Sequence, residues 1–117
     1  MTPRSYVPER GHVVWLHFDP QAGHEQAGRR PAVVLTPVAY NRRAGLVIVC
    51  PITRQVKGYP FETPLPAGGG PIQGVILSDQ ARSLDWVARR AEFICSLPRQ
   101  TIEDVLAKLE SLIGGPA

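Results

Sequence analysis

Cysteine and long apolar runs are what this sequence has least of. There are two cysteines in 117 residues, Cys50 and Cys95, and no CxxC or HExxH pattern, so the spacing matches no zinc or catalytic metal site. The longest uncharged apolar stretch, Ala44 to Thr53, is half of the roughly 20 residues that span a bilayer. The first ten residues carry Arg4, Glu9 and Arg10 without an apolar h-region, which is not the pattern of a signal peptide. These absences lead us to expect a soluble, cytoplasmic protein that does not enter membranes, with its cysteines unpaired. No glycine-rich loop precedes Lys-Ser/Thr, so Gly68-Gly69-Gly70 reads as a turn and not a phosphate cradle. No nucleophile elbow marks a serine.

What is present is ordinary in bulk and unusual in detail. Hydrophobic residues make up 44% and charged residues 20%, the balance of a globular chain. A length of 117 residues suits one domain, because half of it would bury too little core to fold alone. There are 12 prolines, about twice the usual share of ~5%. Proline interrupts helices and central strands, which favours short strands and turns over a helix bundle. Eleven of the 13 basic residues are arginine. Arginine matches phosphate bidentately and stacks on bases. Residues 1–90 hold 11 Lys/Arg against six Asp/Glu, whereas residues 91–117 hold two against four. The charge fits either a solvated surface or a nucleic-acid partner.

Hydrophobic patterning predicts the elements. His12 to Phe18 is an apolar run of strand length, with Val14, Leu16 and Phe18 on one face and Val13, Trp15 and His17 on the other. Ala32–Thr36 and Leu46–Thr53 are valine- and isoleucine-rich strands; Gly58–Leu65 is a proline-interrupted edge strand; Val75–Ser78 and Arg90–Cys95 complete the set. The period then changes. Ile102, Val105, Leu106, Leu109, Leu112 and Ile113 form the stripe of an amphipathic helix, with Pro98 at its start and Gly114 at its end. Five to seven short strands and one helix imply a mainly β (α+β) fold, a small, strongly bent barrel covered by a C-terminal amphipathic helix.

Two polar clusters stand out. Gly23 to Pro31 carries His24, Glu25, Arg29 and Arg30 on a loop between strands, and Thr53, Arg54, Gln55 and Lys57 follow the third strand. Functional groups concentrate on such loops, although a charged surface hairpin in which Glu25 pairs with an arginine accounts for the first cluster equally well. His12 and His17 lie five apart, on opposite faces of one strand, and read as packed or surface histidines.

The sequence resembles the MazF (PemK-like) toxins of bacterial type II toxin–antitoxin systems over almost its whole length. The matching stretches are Gly11-His-Val-Val-Trp-Leu-His-Phe-Asp-Pro20, Gly23-His-Glu-Gln-Ala-Gly-Arg-Arg-Pro-Ala-Val-Val-Leu35 and Pro51-Ile-Thr-Arg-Gln-Val-Lys-Gly-Tyr-Pro-Phe-Glu62, with a weaker match over Gly74–Leu84. The resemblance implies a single toxin domain over 1–117, folded as an SH3-like barrel with a C-terminal helix and assembled as a homodimer. It also implies a metal-independent, cofactor-free endoribonuclease, an mRNA interferase. Such an enzyme cuts single-stranded RNA at short sequences and is held by an antitoxin with an acidic, disordered tail.

Residue by residue, the family's essential arginine falls on Arg30, its essential threonine on Thr53 and its loop carboxylate on Glu25. The polar position before the later Arg-Ser falls on Gln80, followed by Arg82. Arg30, Thr53 and Glu25 are thus the expected catalytic residues, and His24, Arg29, Arg54, Lys57, Gln80 and Arg82 the expected RNA contacts. The doubled Arg29, the added Arg54 and the Gly68–Pro71 turn depart from the family pattern. Two other readings share the barrel: a non-catalytic nucleic-acid-binding module, and a gyrase-poisoning toxin with no need for Arg30 and Thr53.

Overall fold

The structure is a computed structural model and describes residues 6–18, 28–67 and 70–115. Seven antiparallel strands and two helices follow in the order β1 (His12–His17), β2 (Arg29–Val34), α1 (Val38–Ala44), β3 (Leu46–Thr53), β4 (Glu62–Pro64), β5 (Val75–Leu77), β6 (Arg82–Asp85), β7 (Glu92–Ser96) and α2 (Arg99–Ile113). The strand order is β4-β5-β3-β2-β1-β7, with β6 also paired to β3. The long β3 strand lets the sheet bend. Its first half, Leu46 to Val49, pairs with β6; Val49 to Pro51 pair with β2; and Ile52 and Thr53 pair with β5. One strand serving three partners along its length rolls the sheet into a small SH3-like barrel.

The apolar runs are unbroken because both faces of the central strands are covered. Val13 and Val14 are adjacent, and both are 0% exposed. Val13 joins Val33, Cys50, Ile52, Ile76 and the α2 residues Ile102 and Val105 in one core. Val14 and Leu16 join Ala32, Val34, Val47, Val49 and Leu84 in a second, with Phe18 packed against it. The expected alternation in β1 therefore holds, with a register shift between Val13 and Val14 where β1 meets β7.

Four features differ from the sequence expectation. The β2 strand spans Arg29–Val34 and not Ala32–Thr36, because Arg29 and Arg30 pair with His17 and Leu16. The 58–65 segment contributes only Glu62–Pro64. The α1 helix and β6 strand were not expected from patterning. Finally, Leu112 and Ile113, at the end of the α2 stripe, are 48% and 77% exposed, so the stripe runs past the surface it covers. Pro98 stands at the N-cap position of α2 and Gly114 at its C-cap.

A buried polar hub anchors α1. Asn41 is 0% exposed; its amide donates to the carbonyls of Pro8 (2.8 Å) and Thr36 (3.0 Å), and its Oδ1 accepts the Thr36 hydroxyl (2.6 Å). The α2 helix is pinned by charge as well as by apolar contact, with Lys108 Nζ donating to the Glu62 carbonyl (2.9 Å) and Thr63 Oγ1 (3.1 Å). Among the described residues, no helix is long and apolar enough to cross a membrane. Both cysteines are free thiols, and burial pushes the Cys50 thiol up to about 12. His12 is a packed histidine, as expected: its Nδ1 accepts the Tyr6 hydroxyl (2.9 Å), its ring meets Phe93 edge to face, and burial lowers its pKa.

Candidate active site

A solvent-open cleft of about 810 Å³ lies where the ends of β1, β2 and β3 meet the start of β6. Strand register brings its residues together. Arg30 opposes Leu16, one pair in from the end of β1, while Thr53 ends β3 opposite Val75, and Arg82 opens β6 opposite Val49. Arg30, Thr53, Arg54, Gln55, Gln80 and Arg82 all line the cleft, with Gln73 beside them and Trp15, Phe18, Pro31 and Ile72 as apolar wall. The described lining residues hold three guanidinium groups and no carboxylate. Closely placed like charges in a concave surface focus a positive potential that attracts polyanions.

Thr53 is placed by two local devices. Its Oγ1 accepts the Gln55 backbone N–H at 3.1 Å, which occupies a lone pair and leaves the hydroxyl proton free to donate. Behind it, Gly74 adopts φ +122°, and a Cβ there would lie 2.1 Å from the Thr53 carbonyl oxygen. The backbones of the Gly74 turn and the end of β3 can approach this closely only because that residue has no side chain.

The aromatic wall is held from behind. Phe18 has its N–H on the Gly28 carbonyl (2.8 Å), and the Arg89 guanidinium donates to the carbonyls of His17 (3.2 Å) and Phe18 (2.8 Å). The Arg82 guanidinium lies 5.1 Å from the Phe18 ring centroid, within cation–π range.

Arg29 and Arg30 are adjacent, yet they do different things. Successive strand residues point to opposite faces. Arg29 pairs with Glu92 Oε1 at 2.7 Å and lies 4.7 Å from the ring centroid of Trp15, a cleft wall, but is not itself among the lining residues. Lys57 is also outside that lining and exposed, with its backbone N–H on Glu62 Oε2 at 2.9 Å. Of the residues singled out in the sequence, the fold thus gathers Arg30, Thr53, Arg54, Gln80 and Arg82. It does not bring Arg29 or Lys57 to the cleft, and His24 and Glu25 lie outside the described residues. Trp15, Phe18 and Gln73 were not anticipated as site residues. The two aromatics sit in a run that reads as core, and their only sequence signal is their place at the end of a strand that leads into a polar loop.

A family model described as a PemK-like, MazF-like toxin of type II toxin–antitoxin systems matches residues 9–113. The Escherichia coli (strain K12) protein named endoribonuclease toxin MazF is 45% identical over 109 residues, covering 93% of this chain and 96% of that protein. Among solved structures, MazF (Form-I) from Deinococcus radiodurans is 56% identical with a TM-score of 0.84, covering 94% of this chain and 99% of that one. The MazE-MazF (Form-II) structure from the same organism is 49% identical with a TM-score of 0.84, covering 96% of this chain and 100% of that one.

Proposed function

The chain belongs to the PemK-like, MazF-like toxin family of type II toxin–antitoxin systems, and from that premise we propose how its cleft works. The protein is an endoribonuclease toxin, like its relatives of that name. Its substrate is single-stranded RNA, cut at a short sequence in the cytoplasm, and its reaction is metal-independent. The observation that carries this reading is the convergence of Arg30, Thr53 and Arg82 on one concave surface free of described carboxylates.

RNA supplies its own nucleophile, the 2′-hydroxyl beside the scissile phosphate. Attack on phosphorus forms the bond from O2′ and breaks the bond to O5′, leaving a 2′,3′-cyclic phosphate and a 5′-hydroxyl. A base must take the 2′-proton and an acid must protonate O5′. Arg30 remains protonated in proteins, so its role is to hold the negative charge gathering on the phosphoryl oxygens, worth about 3 to 4 kcal/mol for a well-placed donor. Thr53, with its proton free to donate, serves the same oxygens. We assign the base to Glu25, with His24 as its substitute. Arg54, Gln80 and Arg82 contact the flanking RNA, while Arg29 and Lys57 contribute from outside the cleft.

We read residues 1–117 as one toxin domain, in keeping with a family match that spans 9–113. We further propose that it works as a homodimer restrained by a cognate antitoxin, as the MazE-MazF pairing of its relatives suggests, with the antitoxin's acidic tail lying over the arginine-rich face.

Cleavage of a long defined RNA by purified protein in excess EDTA tests the reading, with all ends mapped. Cuts at one recurring short sequence, with cyclic phosphate ends, are expected. Arg30→Ala should lower kcat by roughly 10²- to 10³-fold, and Glu25→Gln by roughly 10²- to 10⁴-fold. Intact RNA with folded, antitoxin-free protein would overturn the ribonuclease reading, and wild-type rates for Glu25→Gln between about pH 5 and 9 would overturn Glu25 as base.

A further inference from the structure

The cleft has two polar walls. One is the chain leaving β3, with Thr53, Arg54 and Gln55; the other is the segment between β5 and β6, with Gln80 and then Arg82. Two links join the stretch that follows β3 to the segment after β5 inside the fold. Ser78 N donates to the Phe61 carbonyl at 3.0 Å, and the hydroxyls of Thr63 and Ser78 meet at 2.8 Å in the interior. Within the first stretch, the buried Glu62 carboxylate accepts the N–H groups of Lys57 and Gly58, each at 2.9 Å. The third link is different. The Tyr59 hydroxyl donates to Asp79 Oδ1 at 2.9 Å across the surface, where water competes for both groups and stability gains little.

Its position gives it another role. Tyr59 lies in the same short loop as Arg54 and Gln55, between β3 and β4, and Asp79 directly precedes Gln80. Gln80 lines the cleft while Asp79 reaches back to Tyr59. The acceptor of this hydrogen bond is a carboxylate, and the bond joins the tips of two exposed segments at points the backbone ladder does not reach. We propose that the Tyr59–Asp79 hydrogen bond is a strap that sets the separation of the Thr53–Gln55 and Gln80 walls, making Tyr59 and Asp79 positioning residues for RNA in the cleft. The proposal rests on the ribonuclease reading above.

The test compares Tyr59→Phe, Asp79→Ala, Asp79→Asn and the double variant Tyr59→Phe/Asp79→Ala on a short single-stranded RNA carrying the mapped cut site. Tyr59→Phe and Asp79→Ala should each lower kcat/KM roughly tenfold, since misplacement by ~1 Å costs up to about 10²-fold. Each should also broaden the distribution of cuts on a long RNA. The melting temperature should stay within about 2 °C of wild type, as for most surface substitutions. Asp79→Asn keeps a carbonyl acceptor and should recover most of the rate, and the double variant should be no worse than either single one, the signature of one shared interaction. Wild-type rates and cut sites in both single variants would overturn the strap alone. So would fully additive losses, or a fall in melting temperature that tracks the loss of rate. An inactive wild-type protein would instead overturn the ribonuclease reading itself.

Discussion

At the scale of single residues, the site depends on side chains that are absent as much as on those present. Gly58 and Gly74 both have φ in the left-handed region, +83° and +122°, but a Cβ at Gly58 would meet nothing within 4 Å. One at Gly74 would meet the Thr53 carbonyl carbon at 2.8 Å and oxygen at 2.1 Å. Gly58→Ala therefore carries only the backbone penalty, roughly 1 to 2 kcal/mol. Gly74→Ala must also push the end of β3 away, and Thr53 with it. Urea melts should show a clearly larger loss for Gly74→Ala, and its kcat on RNA should fall at least about tenfold. Equal melts with wild-type kcat would mean that Thr53 is not held by this contact.

At the scale of elements, α1 shows how a helix can be required without an apolar stripe. Its seven residues bury only Asn41, and that side chain closes three hydrogen bonds linking the helix to Pro8 and Thr36. The Thr36 hydroxyl in turn accepts the Ile48 N–H at 3.1 Å, and the Asn41 carbonyl accepts the Trp86 indole N–H at 2.8 Å. Asn41→Ala would leave the Pro8 and Thr36 carbonyls without their donor and the Thr36 hydroxyl proton without an acceptor, at a cost of about 2 to 4 kcal/mol. The melting temperature should drop by roughly 10 °C, with cleavage per folded molecule unchanged. A loss below about 1 kcal/mol would mean that water replaces the amide.

At the scale of the whole molecule, the charge is divided. The cleft holds Arg30, Arg54 and Arg82, whereas α2 carries Glu103, Asp104 and Glu110 on exposed positions. A polyanion is drawn to the cleft and away from the C-terminal helix. If each cleft arginine neutralises one phosphate, the logarithm of the affinity for single-stranded RNA should fall against the logarithm of salt with a slope of about −2, and Arg82→Ala should reduce that slope by about 0.7. Fluorescence anisotropy with a labelled RNA that lacks the cut site reads both. Antitoxin binding should weaken with salt in parallel. Opposite trends would separate the two surfaces.

The sequence by itself determined the barrel strands, the C-terminal helix and the family. β1 and β3 are apolar runs buried on both sides, and Ile102 to Leu109 repeat at the helical period against one core. Those signals are local and come from burial. Where burial is slight or polar the signal disappears: α1 buries one asparagine, and β6 buries only Leu84. The resemblance also marked Arg30, Thr53 and Gln80, residues far apart in the chain. Only the tertiary structure decided which polar groups share a cleft. Pairing Leu16 with Arg30 and His17 with Arg29 sends two neighbouring arginines to opposite faces of β2: Arg30 lines the cleft, and Arg29 pairs with Glu92 beside the Trp15 wall. Register sets that outcome, because a shift of one residue turns every side chain of a strand over. It is fixed by cross-strand partners that no local stretch of sequence contains.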